Sequence, residues 1–440
     1  MILSGFYTSV DRIGNQLLYR GYDDNGKKVS HRIKYKPTLY LKSKKQVTEW
    51  KALDDTPLEP LQFASMSEVK EFENTYNNVP DFTLYGNSRH IPAFIQHQFP
   101  NEIVYHRDMI DVGSFDIESA FGDGFPEVDN PVNEVLSIAY KSSKDDTYRV
   151  WGLKPYDEAV SKLTHLKIEY RQFDSEAVIL KSFIDFWSNP ENTPDIITGW
   201  NCKFFDIPYL MNRIIRLTDD KVVRNFSPWK YVEKKEVVVR GRPKTIFAIM
   251  GIAMLDYIDL YQKFIPVSQE SYKLDYIGKV ELGVGKDEMP YETFREWYTK
   301  DFQSFVDYNI QDVEIVDKLE DKLKLIELIL TMAYEAKVNY DDVFSQVRVW
   351  DVLIYNFLRK EHIVVPEKSE KIKDSKYDGA YVKDPITGMH KWIVSFDINS
   401  LYPHLIMQYN ISPEKIVCLL YTSDAADEGL GVDLGGRRII

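Results

Sequence analysis

Val112-Gly113-Ser114-Phe115-Asp116-Ile117-Glu118 reads as a β-strand whose two faces carry opposite chemistry. Successive side chains on a strand point to opposite sides, so Phe115 and Ile117 turn toward a core while Asp116 and Glu118 project together from the other face. Two neighbouring anions at the edge of a core raise each other's pKa unless cations lie between them. Alone the pair says little, because 68 acidic residues in 440 give about 10 acidic pairs at that spacing by chance. Around it, strand and helix alternate from about 109 to 335. Val135 to Lys141 and Tyr148 to Leu153 read as strands, Ser175 to Ser188 as an amphipathic helix and Asp195 to Asn201 as a short strand. The pattern predicts an α/β region, one sheet with helices on its faces.

Two further acidic positions follow. In Asn201-Cys202-Lys203-Phe204-Phe205-Asp206-Ile207-Pro208-Tyr209-Leu210, Asp206 falls where a helix starts, with Pro208 tolerated in the first turn and Leu210, Met211, Ile214 and Ile215 as its buried face. Taken singly, Asp206 is an ordinary N-cap. A long helix from about Asp301 to Lys337 carries the apolar stripe Phe305, Val306, Val313, Val316, Leu319, Leu323 and Ile326. On it, Tyr308-Asn309-Ile310-Gln311-Asp312 places Tyr308 and Asp312 four residues apart, where hydroxyl and carboxylate address one point in space. Between these elements, Val237-Val238-Val239 and Thr245-Ile246-Phe247-Ala248-Ile249 flank the basic turn Arg240-Gly241-Arg242-Pro243-Lys244, a protruding β-hairpin.

At 440 residues and 44% apolar, the chain has material for about three domains. Residues 1 to 108 alternate short apolar stretches with polar turns, which predicts a mainly β module with a helix around Met66 to Asn77. No apolar run reaches the ~18 residues of a membrane span, and Met1 to Arg20 lack a secretory layout. With only Cys202 and Cys418, far apart, these features point to a reducing cytoplasm and no membrane partner. A net charge of -13 excludes a uniformly basic coat for duplex DNA. It leaves room for a nuclease that is acidic at its site and basic along its strand track. The runs Asn25-Gly26-Lys27-Lys28, Lys34-Tyr35-Lys36 and Lys42-Ser43-Lys44-Lys45 read equally well as such a track or as solvated turns. After Val417 the composition changes abruptly and no period carries across, so 418–440 is expected to be a non-native tail without regular structure.

In order and within one α/β region, the strand with Asp116 and Glu118, the helix start with Asp206 and the helix with Tyr308 and Asp312 resemble the three motifs of the DEDD exonuclease superfamily, in its Tyr-containing version. The resemblance implies a ribonuclease-H-like fold in which Asp116, Glu118, Asp206 and Asp312 meet at one end of the sheet around two Mg²⁺ or Mn²⁺ ions. Hard oxygen ligands select such ions, and a pair about 4 Å apart can activate a water and stabilise a leaving 3'-oxygen. Tyr308 would orient that water, its phenol being neutral near pH 7. Phe121 and Phe125 are candidates for stacking the bases of a frayed 3' end, with core packing as the plain alternative.

Further on, Tyr377-Asp378-Gly379-Ala380-Tyr381-Val382 resembles the loop joining the exonuclease and polymerase regions of family-B DNA polymerases. Trp392-Ile393-Val394-Ser395-Phe396-Asp397-Ile398-Asn399-Ser400-Leu401-Tyr402-Pro403 is similar to that family's first polymerase motif. By this resemblance Asp397 would bind the nucleotide metals, the backbone of Asn399, Ser400 and Leu401 would meet the triphosphate, and Tyr402 would exclude a ribose 2'-hydroxyl. The likeness, strongest to the T-even-type phage members, runs from 1 to about 417 and includes Gly283-Val284-Gly285-Lys286, with Lys286 suggested near the scissile phosphate, and Asn410-Ile411-Ser412-Pro413. It divides the chain into an amino-terminal domain (1–108), a 3'→5' exonuclease domain (109–335), a connecting segment packing toward the amino-terminal domain (336–390), the start of a polymerase palm (391–417) and the tail. Because the pattern is left after Val417, the expectation is an intact DNA exonuclease beside an incomplete polymerase site, without polymerase activity. DNA, as a single-stranded 3' end or primer-template, is the expected partner; dNTP and a sliding clamp would belong to the full-length parent, acting in a host cytoplasm. The competing readings are a catalytically silent single-stranded-DNA-binding module on the same fold, and an RNA-trimming exonuclease, which the amino-terminal module and polymerase motif disfavour.

Overall fold

Alternating apolar and polar residues place β1 (Phe6–Ile13), β2 (Gln16–Tyr22) and β3 (Lys28–Lys34) in an antiparallel meander at the start of the chain. Ile13 pairs with Gln16 across a two-residue turn in which Gly14 has φ 56°, a conformation glycine adopts without strain. A second sheet of β4 (Thr38–Lys42), β5 (Trp50–Lys51) and β6 (Pro57–Gln62) follows, then helices α1 (Met66–Tyr76) and α2 (His90–Gln98). The structure, a computed structural model, describes residues 3–76, 79, 82–87, 89–120, 126–239, 241–285, 289–366 and 381–412, and the backbone of 416–417, 431–434 and 437–439. It divides into two units, 1–369 and 370–440.

The central sheet of the first unit holds the acidic strand in its interior. Its order is β10 (Lys167–Gln172), β9 (Thr147–Gly152), β8 (Val135–Ser142), β7 (Val112–Ser119), β11 (Ile196–Thr198) and β14 (Ala253–Met254). β8 runs antiparallel to β7 and β9, whereas β11 is parallel to β7 and β14 to β11. A three-strand meander followed by two strands parallel to the first is the ribonuclease-H-like order, here with β10 added at one edge. One face is covered by α3 (Glu176–Trp187) and α4 (Asp206–Leu217), which pack on Phe115, Ile117, Ile138 and Tyr140. The other is covered by α7 (Phe294–Lys300) and α8 (Phe302–Leu323), through Trp297, Phe305, Val306, Ile310 and Val313 against Leu136, Ala139 and Val150. The alternation along β7 therefore aims Asp116 and Glu118 toward α8. Between β11 and β14, β12 (Val232–Val239) and β13 (Arg242–Ile249) form the expected hairpin, with Val239 paired to Arg242, so the basic residues after Gly241 lie in the strand rather than in the turn.

The long helix expected from Asp301 to Lys337 is two helices. Lys324 adopts φ 55°, ending α8 and starting α9 (Leu325–Ala336). The Glu320 carboxylate accepts the Ile326 N–H at 3.0 Å, capping α9, and the Tyr257 hydroxyl at 3.1 Å. The apolar stripe continues across the break, which is why periodicity alone read one helix. Two short helices, α5 (Tyr257–Phe264) and α6 (Leu274–Leu282), lie between the hairpin and α7. Helix α10 (Gln346–Lys360) is followed by Ile363, which bridges to Lys51, and Val364, which packs with Tyr40, Ala52 and Leu58.

One apolar core runs from Phe6, Tyr7 and Leu17 through Ile196, Leu255 and Tyr257 to Ile326 and Leu330, so the amino-terminal meander and the α/β region share an interior. At their junction the fully buried Asp195 accepts the Tyr22 hydroxyl at 2.8 Å and the Asp111 N–H at 3.0 Å, and pairs with Arg20 at 3.4 Å and Lys28 at 3.2 Å.

In the second unit, Trp392 to Asn399 carry no regular structure, α11 (Leu401–Tyr409) follows, and Ile393, Phe396 and Ile398 are exposed. A run apolar on both faces suits a strand covered on both sides, and the described residues of this unit give it no such sheet. The tail departs from expectation: β15 (Ile416–Val417), β16 (Gly431–Leu434) and β17 (Arg437–Ile439) pair antiparallel. Only Gly435 and Gly436 separate the paired Leu434 and Arg437, a composition that favours tight hairpins.

Removing Asp195 strands the buried Arg20 and the half-buried Lys28. The Asp195→Ala substitution is expected to lower the unfolding free energy by about 3–5 kcal/mol, measured by urea denaturation.

Candidate active site

Asp116 and Glu118 pair across the ladder with Ala139 and Ser137 of β8, and a bulge between Glu118 and Ser119 ends the regular register just past them. Helix α8 crosses this face and brings Asp312 down onto it. Ligand oxygens of Asp116, Glu118 and Asp312 all lie within 4.8 Å of one another, the one such metal-competent group among the described residues. Glu118 and Asp312 are buried and Asp116 is half-buried, so the cluster sits at the border of core and solvent.

Asp206 reaches the same region from the other face of the sheet. Gly199 lets the turn after β11 pass close to β7, since a Cβ there would lie 2.7 Å from the Phe115 carbonyl oxygen. Phe205, not Asp206, occupies the N-cap of α4, and the Asp206 carboxylate accepts the Ile117 N–H at 3.2 Å. The aspartate, an ordinary cap when taken singly and grouped by the resemblance with the acids of β7, is thus turned to the acidic strand at Ile117, between Asp116 and Glu118 in sequence. It lies outside the three-oxygen group. Burial first, then the charges of Asp256 and Asp312, hold its pKa well above the usual carboxylate range, with the Ile117 N–H pulling the other way.

The turn carrying Asp206 is itself anchored. Asp256, 1% exposed, accepts N–H groups from Asn201 at 2.9 Å, Lys203 at 2.8 Å and Ile258 at 3.2 Å. Burial pushes its pKa up to about 7 in spite of those donors, and the nearby Asp259 adds to the rise. Tyr308, one turn before Asp312, has its ring edge-on to Trp297 at 5.1 Å and to Phe294 at 6.1 Å, and borders a small pocket with Ser304, Asp307 and Gln311.

Residues 85–277 match the family model for the exonuclease domain of DNA polymerase family B, and 341–430 match the model for DNA polymerase family B. The chain belongs to DNA polymerase family B. It is 34% identical over 436 residues to the DNA-directed DNA polymerase of Escherichia phage RB69 and 32% identical over 433 residues to that of Enterobacteria phage T4, each alignment covering 93% of this chain and 47% of the relative. The DNA polymerase delta catalytic subunit of Glycine max is 27% identical over 325 residues, 68% of this chain and 28% of that protein. The chain thus spans about half the length of the phage relatives it matches.

Family B exonuclease domains use divalent metals, and the donor set here fits one: the three clustered ligands are all carboxylates, the hard oxygen donors that suit Mg²⁺ or Mn²⁺. Of the residues whose sequence resembles a polymerase motif, Asp397 lies in the irregular stretch before α11, Ser400 has φ 52° at the helix start, and Leu401 and Tyr402 open the helix with Tyr402 exposed. Among the described residues Asp397 joins no carboxylate group. Phe121, Phe125, Arg240, Lys286 and Tyr377 to Ala380 lie outside the described residues.

Two polar residues at the site went unread in the sequence. Asn309 is fully buried; its Nδ2 donates to Asp116 Oδ2 at 2.7 Å and its Oδ1 accepts the Ser137 hydroxyl at 2.8 Å. An Asn amid the apolar stripe of a helix, one turn before a motif aspartate, was the available signal.

Asp256 makes the metal-free protein pH-sensitive. Its folded pKa of about 7 lies above the ordinary 3.8, so between these values the folded state keeps a proton that the unfolded chain has released, and stability falls as pH rises. Urea midpoints measured without metal from pH 4 to 8 should fall more steeply for the wild type than for Asp256→Asn.

Proposed function

We propose that this part of the chain is a two-metal 3'→5' exonuclease that releases nucleotides from DNA 3' ends. The observation that carries the reading is the meeting of Asp116, Glu118 and Asp312 oxygens within 4.8 Å, from a strand and a helix nearly two hundred residues apart in sequence. The match of 85–277 to a family B exonuclease domain supports it.

In this reading Asp116, Glu118 and Asp312 hold the ions, with Asp206 completing the set from the opposite side of β7. Bound there, a pair of Mg²⁺ or Mn²⁺ ions would activate a water and neutralise charge on the leaving 3'-oxygen. Tyr308, fixed by its packing on Trp297 and Phe294, directs its hydroxyl to orient the attacking water. Burial raises the cost of four unneutralised carboxylates, so the site favours cation uptake and releases protons as it loads. The basic hairpin of β12 and β13 is placed to help part primer from template. Asp397 and Tyr402 serve the polymerase reaction of the whole protein, with dNTP and a sliding clamp as its partners. Among the described residues no helix is long and apolar enough to cross a membrane, and in this reading the chain acts in a host cytoplasm, which its likeness to phage polymerases supports.

Incubation with a 3'-labelled single DNA strand and Mg²⁺ should release the label. Asp312→Ala should lower the rate by more than the about 100-fold that outer-sphere partners of a metal typically cost. A strand that the wild type binds and leaves intact would instead identify a silent binding module, and faster trimming of an RNA strand would overturn the DNA assignment.

A further inference from the structure

The three clustered carboxylates come from two elements that do not share a hydrogen-bonded ladder. Asp116 and Glu118 ride on β7, and Asp312 rides on α8, which meets the sheet through side chains alone. Apolar packing sets the distance between α8 and the sheet but tolerates sliding, because it has no direction. Directional links fix the remaining freedom: Lys141 of β8 pairs with Asp317 of α8 at 2.7 Å, and at the acids themselves an amide makes the link. Asn309 lies three residues before Asp312, on the same side of α8. It donates from Nδ2 to Asp116 of β7 and accepts at Oδ1 from Ser137 of β8, the residue directly across from Glu118. The chain Ser137 to Asn309 to Asp116 therefore ties together α8, β7 and β8.

We propose that Asn309, held by Ser137, is a positioning residue that sets the separation of Asp312 from Asp116 and thereby the affinity of the site for a divalent cation. This rests on the metal-centre reading above. Two chemical details support it. The Asp116 carboxylate only accepts, so the amide presents its N–H₂ to it, and the Ser137 hydroxyl, able to donate or accept, donates to the amide oxygen left on the other side. The donor is also neutral. A Lys or Arg in its place would hold Asp116 equally well but would cancel the charge that draws the cation, whereas an amide fixes the carboxylate and leaves it anionic.

The test is calorimetric titration of Mn²⁺ into the metal-free full chain without DNA, with thermal melting of the same samples. Asn309→Ala should weaken Mn²⁺ binding by about 10–100-fold. Ser137→Ala, which keeps the amide but removes the hydrogen bond anchoring its oxygen, should weaken binding less while leaving the melting temperature nearly unchanged, and it decides the question if Asn309→Ala fails to fold. Val313→Ala, on the same helix within its apolar cluster, should lower the melting temperature and leave Mn²⁺ binding intact. Wild-type affinity in Ser137→Ala and in a folded Asn309→Ala would overturn the proposal, as would a loss in Val313→Ala matching that in Asn309→Ala, which would mean a merely structural role. Failure of the wild type itself to take up Mn²⁺ would remove the metal-centre reading beneath it.

Discussion

Like charges do not gather unaided, and the organisation of this chain follows from the force that makes them. Two carboxylates about 4 Å apart repel by about 4 kcal/mol where the effective dielectric constant is near 20. Against this stands the burial of Phe305, Val306, Ile310 and Val313 of α8 on the sheet, each worth about 1.5–3 kcal/mol. Three such pairs and four such side chains come to similar totals, and the packing does not depend on protonation, so the acidic cluster is held in place by its surroundings. A cation placed among the three would turn a local cost into a local gain.

The two faces of β7 divide the labour. Phe115 and Ile117 anchor the strand to α3 and α4 on one side, and the acids stand toward α8 on the other. Asp206 crosses this division, because the peptide N–H of Ile117 reaches it from within the strand. Polar backbone and neutral side chains donate to several of these acids: Ile117 to Asp206, Asn309 to Asp116, and the turn amides to Asp256. Neutral donors restrain carboxylates while preserving their appetite for positive charge.

Much of this was legible in the residues. Period-two alternation put Asp116 and Glu118 on one face, and four-residue spacing put Tyr308 and Asp312 on another, because both patterns follow from local backbone geometry. The convergence of Asp312 on the strand needed the tertiary fold, and only the resemblance to a known nuclease architecture anticipated it. What escaped was set by individual side chains acting over long range. The break at Lys324 depends on a capping carboxylate from Glu320, and the apolar period ran straight through it. Asn309 and Ser137 are 172 residues apart, and no local pattern links an amide in a helix to a hydroxyl in a strand. The role of Asp195 is similar: one acid among 68, distinguished by partners far away in the sequence, in the opening meander and at Asp111.

That buried aspartate also bears on how the molecule can be divided. Its cationic partners, Arg20 and Lys28, come from the opening meander, and Arg20 further donates to the carbonyls of Pro194 and Gly251, on loops beside β11 and β14. An excision at residue 108 would leave an anion in an apolar interior with its counter-charges cut away, and would bare the floor on which Ile196 and Leu255 rest. The first hundred residues thus supply one wall of the α/β region, and a fragment that contains the acidic cluster and keeps Asp195 paired has to begin near the first strand.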